Sequence, residues 1–333
     1  MRFRRLSLML ADVRLACLAC LACLAQFDHA ALAQGSFPNK PIRFIVTSPP
    51  GGANDILNRI LGAKFSEVVG QPVLIDNRAG ASGFVAAEMV AKSPADGYTL
   101  LMGTEATLVV NPLFFPKVPY DTERDFAPVT ITAAIQHMLL ANPSVPAASV
   151  PELIALARER PGQLNYASSG NGSAFHLGME MFKRMAGVEL VHVPFKGSAL
   201  SVNAMLAGDV QVMLNGVPGA MPYVRAGKLR ALAVAGAKRS PLAPDVPTIG
   251  EALPGFEFSG WFGVVAPAAT PRPTVRKLND AFATALHSPE SRERLATLGY
   301  EVVASTPEEM AARMRTESGK WAKAIRESGA RPD

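Results

Sequence analysis

The sequence predicts an α/β protein of two lobes, each a mainly parallel sheet flanked by helices. Three observations point there. Short β-rich runs alternate with segments whose apolar residues recur at helical spacing. The alternation is interrupted by an extended stretch and then restarts. The 333 residues, 49% of them apolar and 18% charged, suffice for two domains rather than one.

The first series reads as strands at "IRFIVT" (42–47), "PVLIDN" (72–77) and "YTLLMGT" (98–104). Between them, "DILNRILGAKFSEVVG" and "GFVAAEMVAKSPADG" carry helical patterns. This is the βαβ rhythm of a parallel sheet covered by helices. In the second series, "SVPELIALARERPG" is a helix with Ser149 as N-cap and Gly162 as stop. Strand "LNYAS", helix "SAFHLGMEMFKRMAG", strand "ELVHVPF" and helix "SALSVNAMLAGD" follow, then strands "VQVML" and "LRALAVAG". Two amphipathic helical segments joined by "LGYEVVAS" close the chain. Extended segments near 126–142 and 256–267 join the series. The chain thus crosses between lobes more than once, which makes a hinge rather than a tether. The expected boundaries are 36–134 plus 256–333 for the first lobe and 135–255 for the second.

Residues 1–33 stand apart. A basic start, the apolar run "LACLACLACLA" and an A-x-A site before Gln34 predict a cleavable signal peptide. The run is too short to span a bilayer. Cys17, Cys20 and Cys23 have cluster-ligand spacing, but all three lie inside this run and read as its hydrophobes. Cleavage after Ala33 leaves no cysteine, which suits an oxidising periplasm. It also removes four Arg and two Asp, so the formal charge falls from +5 to +3. With no Lys/Arg run and no interleaved aromatics, nucleic acid is not an expected partner. The histidines do not cluster at metal-ligand spacing. No cofactor is expected, and a monomer is.

Three strand-to-helix turns carry the functional signal. In "TSPPGGAND", Pro49 and Pro50 stiffen the exit from the strand. Gly51 and Gly52 bare the backbone, and a helix opens near Asn54 and Asp55. "YASSGNGSAFHL" repeats the form: Ser168, Ser169, Asn171 and Ser173 add donors, while Gly170 and Gly172 keep the backbone accessible. A third turn, "NRAGASGF", holds Gly80, Ser82 and Gly83. The first amides of a helix lack internal partners and carry a partial positive charge, which makes such turns ready anion sites. Neither a phosphate loop nor a G-x-G-x-x-G fingerprint occurs. If the two lobes face each other, two strand mouths enclose one small anion.

Several side chains have two readings. Asp55 either touches a ligand or serves as a first-turn acid. Ser173 and His176 share a helical face, as a nucleophile and base would in a secreted hydrolase, but G-N-G-S-A is not G-x-S-x-G. A capping or packing His is the plainer reading, and no enzyme is expected. Arg78 either attracts an anion or braces its loop. Trp261 and Phe262 either close over a ligand or pack a hinge. Glu105 places an acid near the presumed mouth.

The motifs together resemble the Bug family of periplasmic solute-binding proteins, the TctC-like receptors of tripartite tricarboxylate transporters. The matching stretches include "PPGGANDILNR", "VLIDNRAGASGFVAAEMVAKSPADGYTLLMGT", "PGQLNYASSGNGSAFHLGMEMF", "HVPFKGSA" and "DVPTIGEALPGFEFSGWFGVVAP", in family order over most of 37–325. The resemblance implies a Venus-flytrap fold. It also implies a cleft where one loop from each lobe holds a ligand carboxylate through backbone amides and waters. By match, Pro50, Gly51, Gly52 and Asp55 carry over from the first lobe. Ser169, Gly170, Asn171, Gly172, Ser173 and His176 carry over from the second, with Lys196 and Gly197 lining the cleft. The implied partners are a small carboxylate and transporter membrane subunits, or a sensor protein. The sequence departs from the family at Ser48 and Pro49, at "SALSVNAM" and at Glu105.

Overall fold

The computed structural model describes residues 37–80, 83–195 and 197–328. The signal-peptide segment, Ser82 and Lys196 lie outside the described residues. All elements below belong to one unit, Ile42–Asp333. β1 (Ile42–Val46) leads to α1 (Ala53–Val69), β2 (Val73–Asn77), α2 (Phe84–Ala91) and β3 (Thr99–Thr104). A π-helical turn (Ala106–Val110) and two short helices, α3 (Asn111–Phe114) and α4 (Thr122–Asp125), precede the long strand β4 (Phe126–Ala141). Next come α5 (Val150–Glu159), β5 (Asn165–Ser168), α6 (Ala174–Ala186), β6 (Val191–Pro194) and α7 (Ser198–Ala207). β7 (Val212–Gly216), α8 (Val217–Arg225), β8 (Arg230–Val234) and α9 (Ile249–Ala252) follow. The chain continues through β9 (Ser259–Pro267), α10 (Arg272–His287), α11 (Pro289–Thr297), β10 (Tyr300–Val302) and α12 (Pro307–Ser328).

The strands run in the order β2-β1-β3-β9-β4-β7-β5-β6, with β8 and β10 also on β4. The outer pairs β1–β2, β1–β3, β5–β6 and β5–β7 are parallel. The middle is antiparallel, because β4 and β9 run back against their neighbours. β4 runs through both halves of the strand path. Its residues 126–136 pair with β9, and residues 137–141 pair with β7. Every residue of this strand is buried or half-buried, which suits its mostly apolar sequence.

One hydrophobic core runs through both halves, from Ile45 and Leu101 to Tyr166 and Leu214. Phe44 of β1, Phe65 of α1 and Phe282 of α10 form a ring cluster with centroids 4.3 to 5.5 Å apart. Helix α6 lies close on β7: a Cβ on Gly178 would come within 2.8 Å of Leu214 and of the Phe258 ring. Only glycine permits that approach. Ser149 caps α5 by accepting from the Glu152 amide. The last helix, α12, packs on β4, the π-helical turn and α3, and also on α6 of the second lobe.

Candidate functional site

The register of β4 shows where the strand mouths open. β3 ends at Thr104, level with Phe262, which faces Ala133 of β4. β7 ends at Gly216, level with His137. The carboxyl ends of β3 and β7 therefore flank the same short stretch of β4. β1 runs parallel to β3 and ends level with Met102, and β5 runs parallel to β7 with Ala167 level with Met213, so all four strands end toward the same side of the sheet. Gly172, in the loop after β5, meets Phe114 of α3. A Cβ there would lie 2.5 Å from the Phe114 Cδ1 atom.

In the first loop, Pro49 and Pro50 have no N–H to offer. The Gly51 amide, at φ +80°, donates inward to Asp55 Oδ2 at 2.8 Å. The Gly52 amide donates to Pro49 O at 3.1 Å. Asp55 is 1% exposed. Arg59 Nε (2.9 Å) joins Gly51 on Oδ2, while Asn77 Nδ2 (2.9 Å) donates to Oδ1. Asn77 also donates to Ser48 O, and Asn54 Nδ2 donates to Thr47 Oγ1 and Met102 O. Asp55 thus shapes the loop from within. The α1 ladder begins with Ile56 N–H to Gly52 O, which leaves the amides of Ala53, Asn54 and Asp55 ahead of it. The glycines bend the backbone, and the amides that lie ahead of the helical ladder come one to three residues later.

Burial alone pushes the Asp55 carboxyl up, but the bonds from Arg59, Gly51 and Asn77 outweigh it and hold the pKa below the usual 3.8. A depressed acid stabilises the fold above its unfolded pKa and loses that contribution as pH falls through the folded one. Asp55→Asn is therefore expected to lower stability by about 1–2 kcal/mol at neutral pH and to narrow that gap in acid. Urea unfolding at two pH values checks this; equal gaps at both would refute it.

The third turn braces the first. Gly83, at φ +90°, would place a Cβ 2.6 Å from Thr107 Oγ1 and 3.3 Å from the Thr47 Cβ. Arg78 is held by Asp76 at 2.7 Å, which is the bracing alternative for that residue.

The second loop is tied down by histidines. Ser168 Oγ sits 2.6 Å from His192 Nε2 and accepts from the Gly170 amide at 3.1 Å. The Gly172 amide, at φ +71°, donates to His176 Nδ1 at 3.0 Å. His176 stacks on His192 at 3.9 Å and 6°, and His192 stacks on Tyr166 at 4.8 Å. As an acceptor, His176 Nδ1 carries no proton in this arrangement. The Ser173 amide donates to Gly170 O, and Ser173 Oγ accepts from the His176 amide as the cap of α6. That cap geometry differs from a nucleophile–base pair. The close Ser–His pair is Ser168–His192, and Ser168 is fully buried. The first helical bond of α6 runs from Leu177 to Ser173 O, so the Ala174 and Phe175 amides precede the ladder. Ser169 and Asn171 lie on the loop between these anchors. The Phe195 amide donates to Ser168 O at 3.1 Å, which sets the turn with Gly197 (φ +108°) beside the loop.

Three other candidates are engaged by neighbouring side chains. Glu105, 7% exposed, accepts from Trp321 Nε1 at 2.6 Å. Trp261, 1% exposed, donates to Glu317, which Arg313 also holds at 2.8 Å. Phe262 packs edge-on against Tyr300. Among the described residues no group of His, Cys, Asp or Glu is placed to hold a metal ion.

Residues 57–330 match the family described as tripartite tricarboxylate transporter family receptor, TctC. The protein BugT of Bordetella pertussis is 36% identical over 304 residues, 91% of this chain and 93% of BugT. Among solved structures, Rpa4515 of R. palustris with adipate superposes with a TM-score of 0.81 at 39% identity, covering 89% of this chain and all of that one. MatC of Rhodopseudomonas palustris with bound malate gives 0.76 at 34% identity, covering 87% and 100%.

Proposed function

The chain belongs to the tripartite tricarboxylate transporter receptor family, and on that premise we propose that it captures a small carboxylate in an interlobe cleft for delivery to a membrane transporter. The observation that supports this reading is that β3 and β7 end on either side of one stretch of β4, with Gly172 seated against Phe114 of α3. The first turns of α1 and α6 supply Ala53, Asn54, Ala174 and Phe175 amides as donors to one carboxylate. Solved relatives that hold adipate and malate support the class of ligand. Residues 36–134 and 256–333 form one lobe and 135–255 the other. β4 is a hinge strand between them. A ligand touching both halves favours the closed state by its differential affinity. Residues 1–33 direct the chain to the periplasm. The closed form docks on membrane subunits.

Calorimetry of the mature chain against dicarboxylates, tricarboxylates, amino acids and aromatic acids tests the reading. One-to-one binding of at least one dicarboxylate is expected. Ala53→Pro then isolates the amide. Proline is favoured at the first helical position and removes only the N–H. Gly52, at ψ 160°, already has the extended backbone that proline demands of its predecessor. The variant is expected to fold normally and bind about tenfold more weakly, the loss of one charge-assisted bond. Unchanged affinity would move the ligand away from α1.

A further inference from the structure

A cavity of about 420 Å³ lies beside the crossover of β4 and is walled by residues other than those of the two loops. One wall is the corner between α11 and β10, with Ala296 and Tyr300. The opposite wall is the turn after β8, with Lys238 and Leu242, and Gln136 of β4 also contributes. The walls meet tightly: a Cβ on Gly299 would lie 2.7 Å from Leu242 Cδ1 and 2.5 Å from Pro218 Cγ. A space of this size is ample for a small organic molecule.

The lining has a definite chemistry. Leu242, Ala296, Val302 and the Tyr300 ring supply apolar surface. Lys238, Arg239 and Arg292 bring three cations against the single carboxylate of Glu301. Arg239 is engaged by Glu251 at 2.9 Å, while Arg292 bonds the His287 ring at 2.8 Å rather than an acid. Excess positive charge over an apolar pocket selects an anion with an apolar body. Tyr300 OH donates to Ala53 O at 2.8 Å, so the wall also touches the start of α1.

We propose that this cavity, which none of the residues of the two strand-to-helix loops lines, is a second binding site for a small organic anion with an aromatic or aliphatic body. The site stands whether or not the cleft takes a carboxylate. The anionic aromatic dye 8-anilinonaphthalene-1-sulfonate is a suitable probe. Titrated into the mature protein, it is expected to bind at one saturable site. Lys238→Glu with Arg292→Glu, both exposed positions, should weaken it at least tenfold. Ala296→Trp, which fills the cavity from an exposed helix position, should abolish it with the melting temperature unchanged. Saturating adipate should leave the dye signal in place. Equal dye affinity in wild type and both variants would overturn the site. Competitive displacement by adipate would overturn it too, by placing the dye in the cleft. If no acid of the calorimetric panel binds, the cleft reading fails and the two variants still decide this one.

Discussion

Gly172→Ala is expected to cost about 3 kcal/mol of stability and to weaken ligand binding at least tenfold. Two penalties act together. At φ +71° any L side chain is strained, by about 1–2 kcal/mol. The new methyl would also press into the Phe114 ring, 2.5 Å from Cδ1, and overpacking costs about 1–3 kcal/mol. Relief comes only by separating the second loop from α3, which turns the Ala174 and Phe175 amides away. Phe114→Ala separates the terms. On its own it destabilises, because the ring is 5% exposed. Combined with Gly172→Ala it removes the clash and leaves only the backbone strain. The two losses should therefore fall short of additivity by about 1–3 kcal/mol in urea unfolding. Strict additivity would show that the ring and the loop do not meet in solution.

The βα rhythm was legible because its signals are local. Runs such as "IRFIV" and "VLIDN" are bounded by Gly, Pro and Asn, and helices such as α12 keep their apolar stripe for many turns. The double membership of β4 was not. Residues 126–141 read as one β-rich run, and the polar pair Gln136 and His137 gives no sign that the strand changes partners there. Its partners lie far away in sequence, at Ser259 and Gly216. Helix α11 was also hidden. "PESRERLAT" buries only Ser291 and Leu295, too few to print a period. The crossing of α12 onto α6 rests on tertiary packing that no local pattern announces.

At the candidate site, the turns were legible and the internal partners of the glycine amides were not. Glycine pairs mark where backbone bends, but whether a given N–H faces outward depends on what folds back beneath it. Asp55, four residues on, claims Gly51. His176 claims Gly172 in the same way, again from four residues ahead. A polar side chain at that spacing after a glycine turn is the signal that would have found both. The stack of His176 on His192 carries no such mark, since one residue sits on a helix and the other on a strand. Ser168 was read as a ligand donor, yet its hydroxyl is spent on His192 and Gly170.

Glu105 carries the largest expected pH effect. Burial pushes its carboxyl well above the ordinary 4.5, and the neighbouring Glu317 carboxylate adds to this by charge and by sharing a hydrogen bond; Trp321 and Arg313 oppose it. Lys320 and Glu257 line the same small cavity, beside Met181 of α6. The folded chain thus keeps a proton that the unfolded chain has released. For an acid raised in this way, stability is fully present below the unfolded pKa and is lost as pH rises above it, at about 1.4 kcal/mol per pH unit until the folded group ionises. Glu105→Gln keeps an acceptor for Trp321 and a donor for Glu317 but has nothing to ionise. The stability of the variant relative to wild type should therefore grow by about 1.4 kcal/mol for each unit from roughly pH 5 upward. Urea midpoints at several pH values measure it, and parallel profiles would mean that Glu105 holds no proton. The cluster ties α12 to the π-helical turn that leads into Phe114, and α12 also packs on α6. An ionised Glu105 would set two carboxylates against each other under that turn. The same titration should therefore weaken cleft binding in wild type and leave it level in the variant.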